Sequence, residues 1–200
     1  MTRLSERTAA MALAGFFGLC ASVLLTEMAS ADGARTVVRV LSPFGVDGLH
    51  RDLSVTARLV GTCWSGSASA AGRLDAWRCM AGNRVFDPCF RAPGGLRVAC
   101  VSSPFSHSVT LLSLDSPLAR ENGEASIRRQ PWALRLANGA KCTFLTGASS
   151  SEGGMRANYG CTKGTVFGDI DHSGSTWQVY YATSQDDSNL LQVDVVEAVF

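Results

Sequence analysis

Between Leu53 and Leu59 the chain alternates strictly. Leu53, Val55, Ala57 and Leu59 are apolar, and Ser54, Thr56 and Arg58 are polar. That period of two is the signature of a half-buried strand. Shorter β-type runs recur at residues 36–41, 97–101, 109–114, 156–161, 165–167, 176–183 and 190–199, separated by Gly, Ser, Pro and Asn. In the last run Leu191, Val193, Val195 and Val199 are expected on one face. The clearest local signal is residues 132–146, where two β-type runs flank Asn138-Gly139. This dipeptide suits a two-residue hairpin turn, because both residues tolerate positive φ. Counting outward pairs Ala137 with Ala140, Arg135 with Cys142 and Ala133 with Phe144 on one face, and Trp132 with Leu145 and Leu134 with Thr143 on the other. Cys142 then shares the packing face with Phe144.

Residues 73–78 are read as one helical turn, and no amphipathic helix of useful length follows residue 31. Residues 116–130 mix Pro, Gly and charges and form a long connection, and residues 147–154 are a Ser/Gly loop. Many short strands at this spacing predict a mainly β fold: a small, disulfide-stapled antiparallel sandwich or barrel-like domain with one short helical turn.

The first 31 residues stand apart. Arg3 and Arg7 precede an uncharged apolar run over residues 9–25, and Ala29-Ser30-Ala31 supplies a small-x-small site. These are the three parts of a secretory signal, with cleavage expected after Ala31 and the mature chain starting at Asp32. Retention as an anchor is the alternative, but the run is shorter than the ~20 residues a spanning helix prefers. Leu19 before Cys20 argues against lipidation, and Arg3 and Arg7 are too far apart for a twin-arginine signal. Two segments result, a signal peptide over 1–31 and a single disulfide-rich β domain over 32–200. The leader holds Arg3, Glu6, Arg7 and Glu27, so the formal balance of +1 is unchanged by its loss. Such a balance makes no electrostatic case for nucleic acid or an anionic membrane.

Beyond the leader lie Cys63, Cys79, Cys89, Cys100, Cys142 and Cys161. An even set behind a signal peptide reads as a disulfide framework in an oxidising compartment. Fifteen connectivities are open in principle. Sequence alone does not fix the choice, and the sequential one is expected. Cys142 and Cys161 fall on neighbouring strands, Cys89 and Cys100 bracket the reversal at Pro93-Gly94-Gly95, and Cys63 pairs with Cys79. Zinc is disfavoured because no two cysteines form a close clamp and His50, His107 and His172 are scattered. No cofactor is expected. Both Cys63…Trp77-Arg78-Cys79 and Cys142…Tyr159-Gly160-Cys161 place an aromatic two residues before the second cysteine, an echo short enough to be coincidence.

The strings CWSGS, DAWRCMAGNRVFDPCF, PWALRLANGAKCTFLTGA and NYGC resemble a recurrent secreted bacterial domain of unknown function, over about residues 61–200. That resemblance implies no active site.

Catalytic signals are correspondingly thin. Ser65 and Ser149 lack the second glycine of a nucleophile elbow. Six cysteines in an oxidising compartment argue for disulfides rather than a reactive thiol. Asp169-Ile170-Asp171-His172-Ser173-Gly174 opens like a calcium loop, but Tyr180 stands where the bidentate carboxylate belongs, so a polar turn is expected. Trp64 and Trp77 are expected to pack on disulfides rather than offer sugar-stacking platforms, and Trp132 and Trp177 are likewise assigned to the core. The functional expectation is a secreted, non-enzymatic domain binding a protein or envelope component. The alternative is a secreted hydrolase with a loop-borne site among His107, Asp115, Asp169, Asp171 and His172.

Overall fold

The computed structural model of the chain describes residues 35–122, 130–183 and 189–200; the expected leader lies outside them. Strand follows strand throughout: β1 (Val37–Arg39), β2 (Phe44–Gly45), β3 (Gly48–Leu49), β4 (Ser54–Gly66), β5 (Ala76–Ala81), β6 (Arg84–Arg91), β7 (Arg97–Cys100) and β8 (Ser108–Leu114). After the long connection come β9 (Ala133–Leu136), β10 (Lys141–Phe144), β11 (Ser151–Glu152), β12 (Met155–Cys161), β13 (Thr165–Asp171), β14 (Trp177–Ala182) and β15 (Leu191–Val199). The described residues contain no helix. The helical turn expected at residues 73–78 is instead a tight turn over 73–75, with Ala76 N–H donating to Arg73 C=O at 3.2 Å, followed directly by β5. Trp77 and Cys79 alternate inward across that segment, so the strand period wins.

Two closed rings result. Strands β4 to β8 form a meander of five, and an odd count leaves its first and last strands running the same way. The closing ladder is therefore parallel, from Ser54↔Ser108 to Gly61↔Leu114. The second ring takes β9, β10, β12, β13, β14 and β15, an even set, and closes antiparallel through β15–β9. Strand β1 adds to β15 in parallel and ends that sheet. Each ring has its own interior. Trp77, Cys79, Cys89, Val98, Cys100 and Leu112 fill the first, and Leu134, Leu136, Cys142, Tyr159, Val179 and Val195 fill the second. A third cluster joins them, with Phe90, Ala99, Val109 and Leu111 from the first ring packed on Trp132, Ala133 and Val199. A fully buried side chain such as Leu112 (0 % exposed) contributes about 2 kcal/mol of burial.

The six cysteines bond sequentially, Cys63–Cys79, Cys89–Cys100 and Cys142–Cys161, each pair in direct register across adjacent strands. The echo has a structural counterpart. In both rings the aromatic two residues before the second cysteine, Trp77 or Tyr159, is buried, and a left-handed glycine, Gly82 or Gly164, turns the chain into the next strand.

The hairpin register differs from expectation by one residue. Cys142 pairs with Leu134, Lys141 with Arg135 and Thr143 with Ala133. The loop has three residues: Gly139 takes a left-handed φ of 82°, and Asn138 Oδ1 accepts from Ala140 N–H at 3.0 Å. The two-residue register would have aimed Arg135 into the interior beside Cys142, and desolvating a guanidinium there is costly. The slip keeps Leu134 and Leu136 inside and Arg135 out. Cys142 does face inward with Phe144, as expected. In β15 the expected common face is broken by a bulge between Val195 and Glu197. Val195 lies in the second ring's interior, Val199 joins the inter-ring core, and Leu191 is exposed.

Candidate functional site

The residues proposed for hydrolysis do not converge. His107 and Asp115 flank the seven residues of β8 and so stand roughly 26 Å apart at strand rise. His107 Nδ1 lies 3.8 Å from Asp52 Oδ2, but both side chains are more than two-thirds exposed and no cleft encloses them. His172 stacks on the Trp177 ring at 4.2 Å, on the other ring. His50 packs on Gly45. Among the described residues no serine hydroxyl bonds a histidine. The Ser65 hydroxyl donates to Gly66 C=O, and the Ser149 hydroxyl is buried without a partner.

Asp169 and Asp171 lie within β13 rather than in a loop, so the expected turn begins later, at His172. Asp171 Oδ1 accepts from Ser173 N–H at 2.8 Å, and that backbone bond, with the Ser173 hydroxyl, holds its carboxyl below the usual range. No group of three or more His, Cys, Asp or Glu able to hold a metal occurs among the described residues. Burial, and secondarily the Asp169 charge, pushes the Tyr159 phenol well above its ordinary value; it stays a donor to Pro131 C=O at 2.7 Å.

Three polar networks are structural. Asp87 accepts from both the Ser67 and Ser69 hydroxyls and from Ala68 N–H, tying the loop after β4 to β6. Glu197 is held between Arg39, at 2.8 Å, and Arg135, joining β1, β15 and β9. Arg73 grips both Asp75 oxygens at 2.7 Å and donates to Leu41 and Phe200 C=O.

The Arg73 network braces one wall of a groove of about 750 Å³. Val38 of β1 and Val40 just beyond it line it, with Leu74, Trp177, His172, Phe200, Asp75, Arg120 and Glu121. Just past the ends of β1 and β15 the parallel pairing continues through Arg39 and Leu41: Phe200 N–H donates to Arg39 C=O and Leu41 N–H to Phe200 C=O, both at 2.9 Å. In a parallel ladder the N–H and C=O of Val38 and Val40 then point the other way, along an edge that no described strand pairs. A second cleft, of about 650 Å³, lies between the rings, lined by Ala68 and Ala71 on one side and Phe144, Arg156, Asn158 and Asp169 on the other.

None of the groove's aliphatic residues was singled out from sequence. A usable signal was present: Val37, Val38 and Val40 form a run without alternation, and a terminal strand that buries only one face exposes part of such a run. Trp77 and Trp132 are buried as expected and Trp177 is partly buried, whereas Trp64 is 51 % exposed. Its neighbour Cys63 bonds inward to Cys79, and side chains of adjacent strand residues point to opposite faces. No helix among the described residues is long and apolar enough to cross a membrane. No protein-family model, curated protein or solved structure matches the chain.

Proposed function

We propose that this is a secreted, non-enzymatic binding domain that acts outside the cytoplasm and seats a protein or envelope component in the groove beside β1. The observation that carries the reading is the groove itself. It combines aliphatic, aromatic and edge-backbone surface on a wall braced by the Arg73 network, the make-up of a preformed ligand site. The dispersal of His50, His107 and His172 supports binding over hydrolysis, and three disulfides suit an oxidising compartment.

The test uses residues 32–200 as bait for envelope extract, beside a variant carrying Val38→Asp and Val40→Asp. Both valines are exposed, so the fold should survive, as circular dichroism would verify. The captured component should be lost from the variant. Equal capture by both would refute the groove. Turnover of an esterase, glycosidase or peptidase substrate that disappears in His107→Ala would refute the binding reading altogether.

A further inference from the structure

The formal balance of +1 conceals a segregation of charge. Strands β4 to β8 carry Arg58, Arg78, Arg84, Arg91 and Arg97 against one acid, Asp87. Strands β9 to β15 carry Arg135, Lys141 and Arg156 against Glu152, Asp169, Asp171, Asp194 and Glu197. Asp87 does little to neutralise the first ring. Its side chain is 5 % exposed, engaged by Ser67, Ala68 and Ser69, and it reaches only Arg78, at 3.8 Å. Arg58, Arg84 and Arg97 have no carboxylate within ion-pair distance among the described residues.

On the outside of the same ring large apolar side chains are exposed in adjoining strands. Val60, Thr62 and Trp64 alternate outward on β4. Thr62 faces Met80 on β5, and Met80 faces Val85 on β6. Val60 is 66 % exposed and Val85 54 %. Arg78 lies over the Trp64 ring, 5.9 Å from its centroid. Trp, Met and Arg together, on a face with few acids, is the composition enriched at protein–protein contacts and their hot spots.

We infer that the outer β4–β5–β6 face is a docking surface for an acidic segment of another polypeptide, distinct from the groove beside β1. Arg58, outward on β4 with Val60, has no carboxylate partner among the described residues, and Arg78 over Trp64 meets only the buried Asp87. This face therefore selects a partner bearing Asp and Glu, while Trp64, Met80 and Val85 require that partner to bring apolar side chains as well. A polysaccharide fits less well, because Thr62 is the one hydrogen-bonding neutral side chain between Val60, Met80 and Trp64.

A random dodecapeptide library selected on immobilised residues 32–200 tests this directly. Enriched peptides should be net acidic with aliphatic or aromatic residues, should bind Trp64→Ala and Arg78→Glu at least ten-fold more weakly, and should bind the Val38→Asp/Val40→Asp variant unchanged. That last arm separates this surface from the groove. Enrichment of neutral or basic peptides, no enrichment, or undiminished binding by Trp64→Ala, with its circular dichroism native, would overturn the inference. So would inorganic polyphosphate binding as tightly as the peptides, or a concentration-dependent self-association abolished by Trp64→Ala.

Discussion

Gly164 and Gly139 both take left-handed backbone, with φ of 74° and 82°, but for different reasons. At Gly139 a Cβ would meet open space. At Gly164 it would lie 2.0 Å from Ala182 C=O and 2.7 Å from the Tyr181 hydroxyl. Gly139→Ala should therefore cost only the conformational strain, about 1 kcal/mol, whereas Gly164→Ala adds a backbone clash and should cost about 3 kcal/mol or more. Urea unfolding of the two variants compares them, and equal midpoints would refute the argument. At this scale the sequence was informative wherever a residue type has one dominant use. The cysteines are the clearest case. It misleads at Trp64, because adjacency to Cys63 in sequence is not adjacency in space: a strand separates such neighbours across its two faces. Nothing in composition marks Asp87 as the acceptor of the Ser67–Ser69 loop, since its donors lie some twenty positions earlier.

Elements were legible in proportion to how local their determinants are. The runs at 53–59 and 156–161 are strands because alternation is a property of a few consecutive residues, and 109–114 is one because its β-type residues are consecutive. Strands β5 and β6 are hidden in the sequence. Arg73 to Arg78 has the mixed polarity of a helical turn, and β6 contains Asp87-Pro88, a dipeptide that normally marks a strand's end. Hairpin register and the β15 bulge were decided by burial, which acts across strands. The Cys142–Cys161 bridge ties β10 to β12 across the whole Ser/Gly loop, with a sequence separation of 19. Closing a loop of that length restricts the unfolded chain by about 3 kcal/mol. A Cys142→Ala/Cys161→Ala variant should fold with stability reduced by that order, read from guanidinium denaturation. A loss below about 1 kcal/mol would show that the strand ladder alone sets this region's stability.

At the scale of the whole molecule, "sandwich or barrel" was as far as periodicity could reach. Ring closure depends on the pairings β4–β8 and β9–β15, and the β1 edge on β1–β15, all between partners far apart in sequence. The candidate site depends on the same long-range events: the groove exists because β1 returns to the last strand. The two rings should unfold together, because Trp132, 1 % exposed, packs against Phe90 of the first ring with centroids 6.2 Å apart while leading into β9 of the second. Fluorescence and far-ultraviolet circular dichroism should trace one coincident transition, and Trp132→Ala should lower stability by about 3–5 kcal/mol. Two separated transitions in the unmodified protein would contradict a shared core. The sequential pairing of cysteines also bears on the order of events at synthesis. A chain delivered amino end first presents its thiols as successive couples, so when Cys79, Cys100 or Cys161 emerges its native partner is the cysteine just before it. The β1 ladder has the opposite timing. Its partner, Glu197–Val199, emerges after all six cysteines and also carries the ladder to β9, so the three disulfides can form before the second ring and the β1 seam close.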